Sequence, residues 1–355
     1  MTTPLTTRFL RQIAASGPIT LAEYMATCLG HPEHGYYSTR DPLGRAGDFI
    51  TAPEISQMFG ELIGLCLAQC WLDQGAPDPV ALIELGPGRG TLMADILRAT
   101  RGVAGFHAAA RVHLVETSPT LRAVQAQTLA GHDPVWHDTV DSLPAMPLLV
   151  VANEFFDALP IRQFERDPGG WRERLVGIQD GALALGLADA APLAALDHRL
   201  EDTDPGDLVE TCAPATAIAA MLGARIAQHG GTALLIDYGD WRSLGDTFQA
   251  MADHAPTDPF AAPGTADLTA HVDFEALARA ASPAQHTRLT SQGVFLERLG
   301  ITDRARALAK ALRGDALETH ISAHRRLTHP DEMGSLFKVL GLYGPNQSPP
   351  PGLSA

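Results

Sequence analysis

Basic residues are scarce. Against 41 Asp and Glu stand only 26 Lys and Arg, a formal net charge of −15. Such a surface repels a phosphate backbone, and no local run of Lys and Arg reverses the field, so nucleic acid is excluded as a partner. An acidic surface suits a basic protein partner, although solubility alone is the readier explanation. Cysteine is scarcer still. Cys28, Cys66, Cys70 and Cys212 form neither a disulfide framework nor a CxxC pair, which points to a reducing compartment, read from the sequence as the cytoplasm. Long apolar runs are missing: none reaches the roughly 18 residues that cross a bilayer, so no membrane insertion is expected. His320, His324 and His329 invite a zinc site, with the first two four apart on a helix, but no acid or cysteine completes a convincing one, and no metal is expected.

What is present is enough to build a large core. The 355 residues are 45% hydrophobic, which suits one enlarged domain or a core carrying a second lobe. Residues 1–78 read as an N-terminal helical lobe with a cleft-lining loop. There Thr20 caps one helix, and Thr51-Ala52-Pro53-Glu54 opens a single long one. From residue 79 the pattern changes. Short apolar runs at 80–85, 112–116, 135–136, 148–152 and 232–237 alternate with helical stretches at 91–100, 119–129 and 214–228. That alternation predicts an α/β fold, a doubly wound, mostly parallel sheet, over 79–344. Insertions at about 163–210, with a strand pair around Asp180-Gly181, and at 239–267 read as substrate-side segments. The Pro- and Ser-rich stretch 345–355 reads as a flexible tail.

The strongest local signal is Glu84-Leu85-Gly86-Pro87-Gly88-Arg89-Gly90. Gly86, Gly88 and Gly90 permit a tight strand-to-helix turn and a close backbone approach to a ligand. Their GxGxG spacing departs from the GxGxxG of dinucleotide sites. Glu84, two residues before the first glycine, can accept from an amino-acid ammonium group, which points to S-adenosyl-L-methionine. Glu116, ending the second strand, can accept both ribose hydroxyls. Asp138, after the third, can accept from the adenine amino group or stand as a solvated loop acid. After the fourth strand come Asn153, suited to cofactor or acceptor, and Glu154 and Asp157, suited to a cationic nucleophile.

Six further motifs complete the picture: His34-Gly35-Tyr36-Tyr37; Gly47 to Glu61, containing Gly47-Asp48-Phe49-Ile50-Thr51-Ala52-Pro53-Glu54; Asn153-Glu154-Phe155-Phe156-Asp157-Ala158-Leu159-Pro160; Asp237-Tyr238-Gly239; His271-Val272-Asp273-Phe274; and Met333 to Leu340. In this order, over about residues 6–341, the chain resembles the MidA family, the relatives of a respiratory complex I assembly-factor methyltransferase. The resemblance implies a protein-arginine methyltransferase with a protein substrate such as a complex I subunit, and it places 47–54 and the 153–160 loop along the acceptor cleft.

An arginine acceptor is always protonated, so carboxylates must orient it and take its proton. Asp48, Glu54, Glu154 and Asp157 are the catalytic candidates, with Asp237, Tyr238, His271 and Asp273 as substrate lining. Glu54 and Asp273 have bland readings as helix-capping acids. Two alternatives stand beside the enzyme: a noncatalytic S-adenosylmethionine-binding assembly chaperone, and a methyltransferase or nucleotide-dependent oxidoreductase acting on small molecules.

Overall fold

The computed structural model describes residues 2–39, 51–252 and 254–355. Its chain falls into two compact units, each drawn from three segments: Met1–Pro42, Asp157–Ala215 and Arg242–Asp273 in the first, Leu43–Phe156, Thr216–Trp241 and Phe274–Ala355 in the second. This division differs from the boundary read near residue 78. The reason is packing: the first two helices share a core with the inserted strands, while the third segment of the expected lobe joins the sheet.

In the first unit, helices Pro4–Ser16 and Leu21–Gly30 bury Leu5, Phe9, Tyr24 and Met25 against Val176 and Leu268. A capping box starts the second helix, Thr20 Oγ1 accepting from the Glu23 amide at 3.1 Å and Glu23 from the Thr20 amide at 2.9 Å. The expected strand pair is there, Gly170–Gln179 against Ala182–Leu187, turning through Asp180 and Gly181 at φ 51° and 82°.

The second unit carries the central sheet. Among the described residues, the six longest of its nine strands are β1 (Val80–Leu85), β2 (Ala110–Val115), β3 (Val135–His137), β4 (Leu148–Asn153), β5 (Gly231–Asp240) and β6 (Phe337–Tyr343). Neighbours run β3-β2-β1-β4-β5-β6, parallel until β6, which pairs antiparallel with β5. The order reverses between β1 and β4, which is where a doubly wound sheet opens its ligand crevice. β1 and β4 are buried at every position, which is why they read as apolar runs, interrupted only by Glu84 in β1 and Asn153 at the end of β4. The sequence reading did not assign β6 as a strand.

Around this sheet stand helices α1 (Gln57–Asp73), α2 (Thr91–Ala99) and α3 (Pro119–Thr128). Gly60 and Gly64 let α1 press on α2: a Cβ at these positions would lie 2.5 Å from Asp95 Cβ and 2.8 Å from Ile96 Cα. Buried Glu61 then accepts from Arg98 at 3.1 Å and Arg304 at 2.8 Å, fixing α2 and with it the turn that α2 follows. The single helix expected from Thr51 is two. Ser56 leaves helical geometry (φ −160°, ψ 133°), ending Ala52–Ile55, and its hydroxyl caps α1 by accepting from the Met58 amide at 3.2 Å. The tail forms no helix or strand, yet it is fastened: Leu353 is buried in the core, and the Gly352 carbonyl accepts from Arg298 at 3.1 Å. Among the described residues no helix is long and apolar enough to cross a membrane.

Candidate cofactor site

The glycine turn leaves β1 at the strand-order reversal. Gly86, Gly88 and Gly90 all take positive φ, at 63°, 52° and 81°. Gly86 also has no room for a side chain, since a Cβ there would sit 2.8 Å from Phe155 Cδ2. Gly90 forms the N-cap of α2, so the turn delivers the amide-rich end of that helix to the crevice.

Glu84 is 3% exposed, and its Oε2 has no hydrogen-bond partner. Burial pushes its carboxyl up to about 8, and the Met93 amide offsets only part of that cost. One strand away, buried Asn153 donates from Nδ2 to Glu154 Oε1 at 3.0 Å while its Oδ1 is without a partner. Glu84 pairs across the sheet with Val151, and Asn153 lies two residues further, so both side chains stand on one face of neighbouring strands. Two dehydrated acceptors lacking donors suit a cation with several N–H groups, which is what the ammonium of an amino acid offers.

At the end of β2, Glu116 takes the Ser118 amide on Oε1 at 2.8 Å and the Gln125 amide on Oε2 at 3.2 Å. Burial raises its pKa, and these donors work against that rise. Each carboxylate oxygen keeps a lone pair for a further donor, so two vicinal hydroxyls can be accepted there. Asp138 is exposed and pairs with Arg122 at 2.6 Å, while Arg122 Nε donates to the Glu116 carbonyl at 2.8 Å.

The remaining candidates divide. Glu54 accepts from the Thr91 hydroxyl at 2.6 Å and is thereby tied to the first residue of α2. Glu154 sits at φ 50°, a left-handed conformation costly for a residue with a Cβ, and its Oε1 accepts from the Ala52 amide at 3.1 Å. Asp237 is fully buried at β5 and accepts from the Phe155, Phe156 and Tyr238 amides at 3.1, 3.0 and 3.0 Å. Tyr238 packs edge-on against Phe337 at 5.4 Å. Asp157, His271 and Asp273 belong to the first unit. There the Asp157 carbonyl accepts from Ala270, the His271 amide donates to Thr247 Oγ1, and Asp273 accepts from the Ser243 amide. Asp48 lies outside the described residues. Sequence reasoning missed Gln125, whose only signal is an amide at a helix position flanked by apolar neighbours.

Comparison with known proteins follows the same lines. The family model Methyltransf_28, of S-adenosyl-L-methionine-dependent methyltransferases, matches residues 62–293. A Burkholderia thailandensis protein, crystallised bound to S-adenosyl-homocysteine, is similar with a TM-score of 0.82 and 31% identity, over 97% of this chain and 94% of its own. The mitochondrial protein arginine methyltransferase NDUFAF7 of Danio rerio is 38% identical over 93% of this chain and 85% of its own length. Its Homo sapiens counterpart is 37% identical over 96% and 83%. These relatives are named mitochondrial, which overturns the cytoplasmic reading. Four cysteines without a disulfide do not identify the compartment.

Proposed function

Because the chain belongs to this family of S-adenosyl-L-methionine-dependent methyltransferases, we propose that it transfers the methyl group to an arginine of a protein substrate. The arginine assignment is supported by relatives 37–38% identical over nearly the whole chain that carry that activity in their names. The narrower substrate, a respiratory complex I subunit, is supported by the MidA resemblance.

The observation that carries the donor half is the pair of unpartnered acceptors, Glu84 Oε2 and Asn153 Oδ1, at the strand-order reversal. In this reading they accept the ammonium end of the donor, and Glu116 accepts the ribose hydroxyls. The left-handed turn at 86–90 lets main chain lie against the ligand without a clash. Asp138 is assigned to the adenine end. When bound, S-adenosyl-L-methionine supplies an electrophilic methyl on a sulfonium. The chain's task is then to hold the acceptor in line and dry, and to lead away one proton. Glu154, kept in its strained conformation beside Asn153, is assigned to orient the guanidinium together with Asp48. Glu54 stays a catalytic candidate, and its bond from Thr91 fastens Ala52–Ile55 to α2. Asp157 remains a catalytic candidate and Tyr238, His271 and Asp273 lining candidates, each taken within its own unit. The carboxylates among these go into the same mutagenesis.

Peptide maps of respiratory proteins from cells with and without this gene test the proposal. The expected result is a methylated arginine that disappears with the gene and returns with the wild-type enzyme but not with Asp48→Ala or Glu154→Gln. An unchanged arginine methylation pattern would favour the noncatalytic assembly chaperone.

A further inference from the structure

Gln125 is fully buried on α3, and its amide joins the glycine turn, Glu116 and Trp136 of β3. Nε2 donates to the Gly88 carbonyl at 2.7 Å and to Glu116 Oε2 at 3.2 Å, while Oε1 accepts from the Trp136 indole at 2.8 Å. An indole N–H can only donate, so it fixes which way the amide faces. With the opposite orientation, Oε1 would meet a carbonyl and a carboxylate, and the Trp136 N–H would meet an NH2 group. A core Leu or Met would fill this space without needing any partner, and a buried amide is costly unless fully paired. We infer that Gln125 is a positioning residue: locked by Trp136, it holds the Glu116 carboxylate and the glycine turn in one register for the cofactor, and acts through Glu116. This rests on reading Glu116 as the acceptor for the ribose.

Calorimetric titration with S-adenosylhomocysteine tests it on the full-length protein, with melting temperature recorded for every variant. Gln125→Met should weaken binding roughly tenfold, the scale of a hydrogen bond to a charged group. The double variant with Glu116→Gln should bind no more weakly than Glu116→Gln alone, because the two residues act as one unit. Trp136→Phe leaves the amide in place but frees it to turn, and should weaken binding about threefold with the fold intact; this variant decides the matter should Gln125→Met not fold. Additive losses in the double variant, or wild-type affinity in Gln125→Met or Trp136→Phe, would overturn the proposal. Wild-type affinity in Glu116→Gln would remove the ribose assignment and the positioning role with it. A wild-type protein that does not bind S-adenosylhomocysteine would refute the donor reading itself.

Discussion

The sheet of the second unit places a buried carboxylate near the carboxyl end of β1 and another in β5, and they are in opposite conditions. Glu84, in β1, has an oxygen without any partner and a carboxyl pushed up to about 8 by burial. Asp237, in β5, spends its oxygens on the amides of Phe155, Phe156 and Tyr238. Both are acids in a parallel strand, and in sequence both read as site residues. What separates them is the donor inventory. The main chain supplies Asp237 with donors, whereas Glu84 keeps an oxygen without one, which in the proposed reading a ligand supplies.

Breaking each acid in turn should give opposite signatures. Asp237→Ala leaves buried amides without an acceptor and should cost about 3 kcal/mol of stability, seen as a drop in melting temperature, because the strained loop at Glu154 loses its anchor. Glu84→Gln should melt at or above the wild-type temperature while binding S-adenosylhomocysteine about 100-fold more weakly. If both variants lost stability and binding alike, the distinction between ligand and scaffold would vanish. A smaller effect sharpens the same contrast. Gly86→Ala puts a Cβ at φ 63° and against Phe155, and should cost about 1–2 kcal/mol and weaken cofactor binding roughly tenfold. Wild-type behaviour there would mean that the turn does not need its left-handed residue.

Where the cofactor candidates stand was legible in sequence because they sit at fixed offsets from buried strands. The run 80–85 is β1 to the residue, the glycine turn follows it directly, and Glu116 follows β2. The structure brings Glu84, Glu116 and Asn153 to the strand ends from which they were read. Less was legible where tertiary partners decide. Nothing local announces that Ser56 breaks a helical run by capping the next one, or that Gln125 reaches a carbonyl 37 residues away. Asp237 was read as lining because its motif adjoins a strand end, and its bonds to the amides of a distant loop have no local signal. The two-unit division was hidden for the same reason, since the segment 157–215 packs with helices more than a hundred residues earlier.

The pH dependence of S-adenosylhomocysteine binding tests the account most directly. With its carboxyl raised from 4.5 to about 8, Glu84 is protonated in the free protein near neutrality. The group's contribution to stability is then fully present below its unfolded value and is lost as pH rises through the folded one. A ligand ammonium needs the carboxylate, so binding must expel a proton. Affinity should therefore strengthen by close to tenfold per pH unit between about pH 6 and pH 7.5, with one proton released, and Glu84→Gln should flatten the profile. Affinity that is level across this range with no proton release, or a Glu84→Gln protein that keeps the slope, would contradict the assignment of Glu84 to the donor.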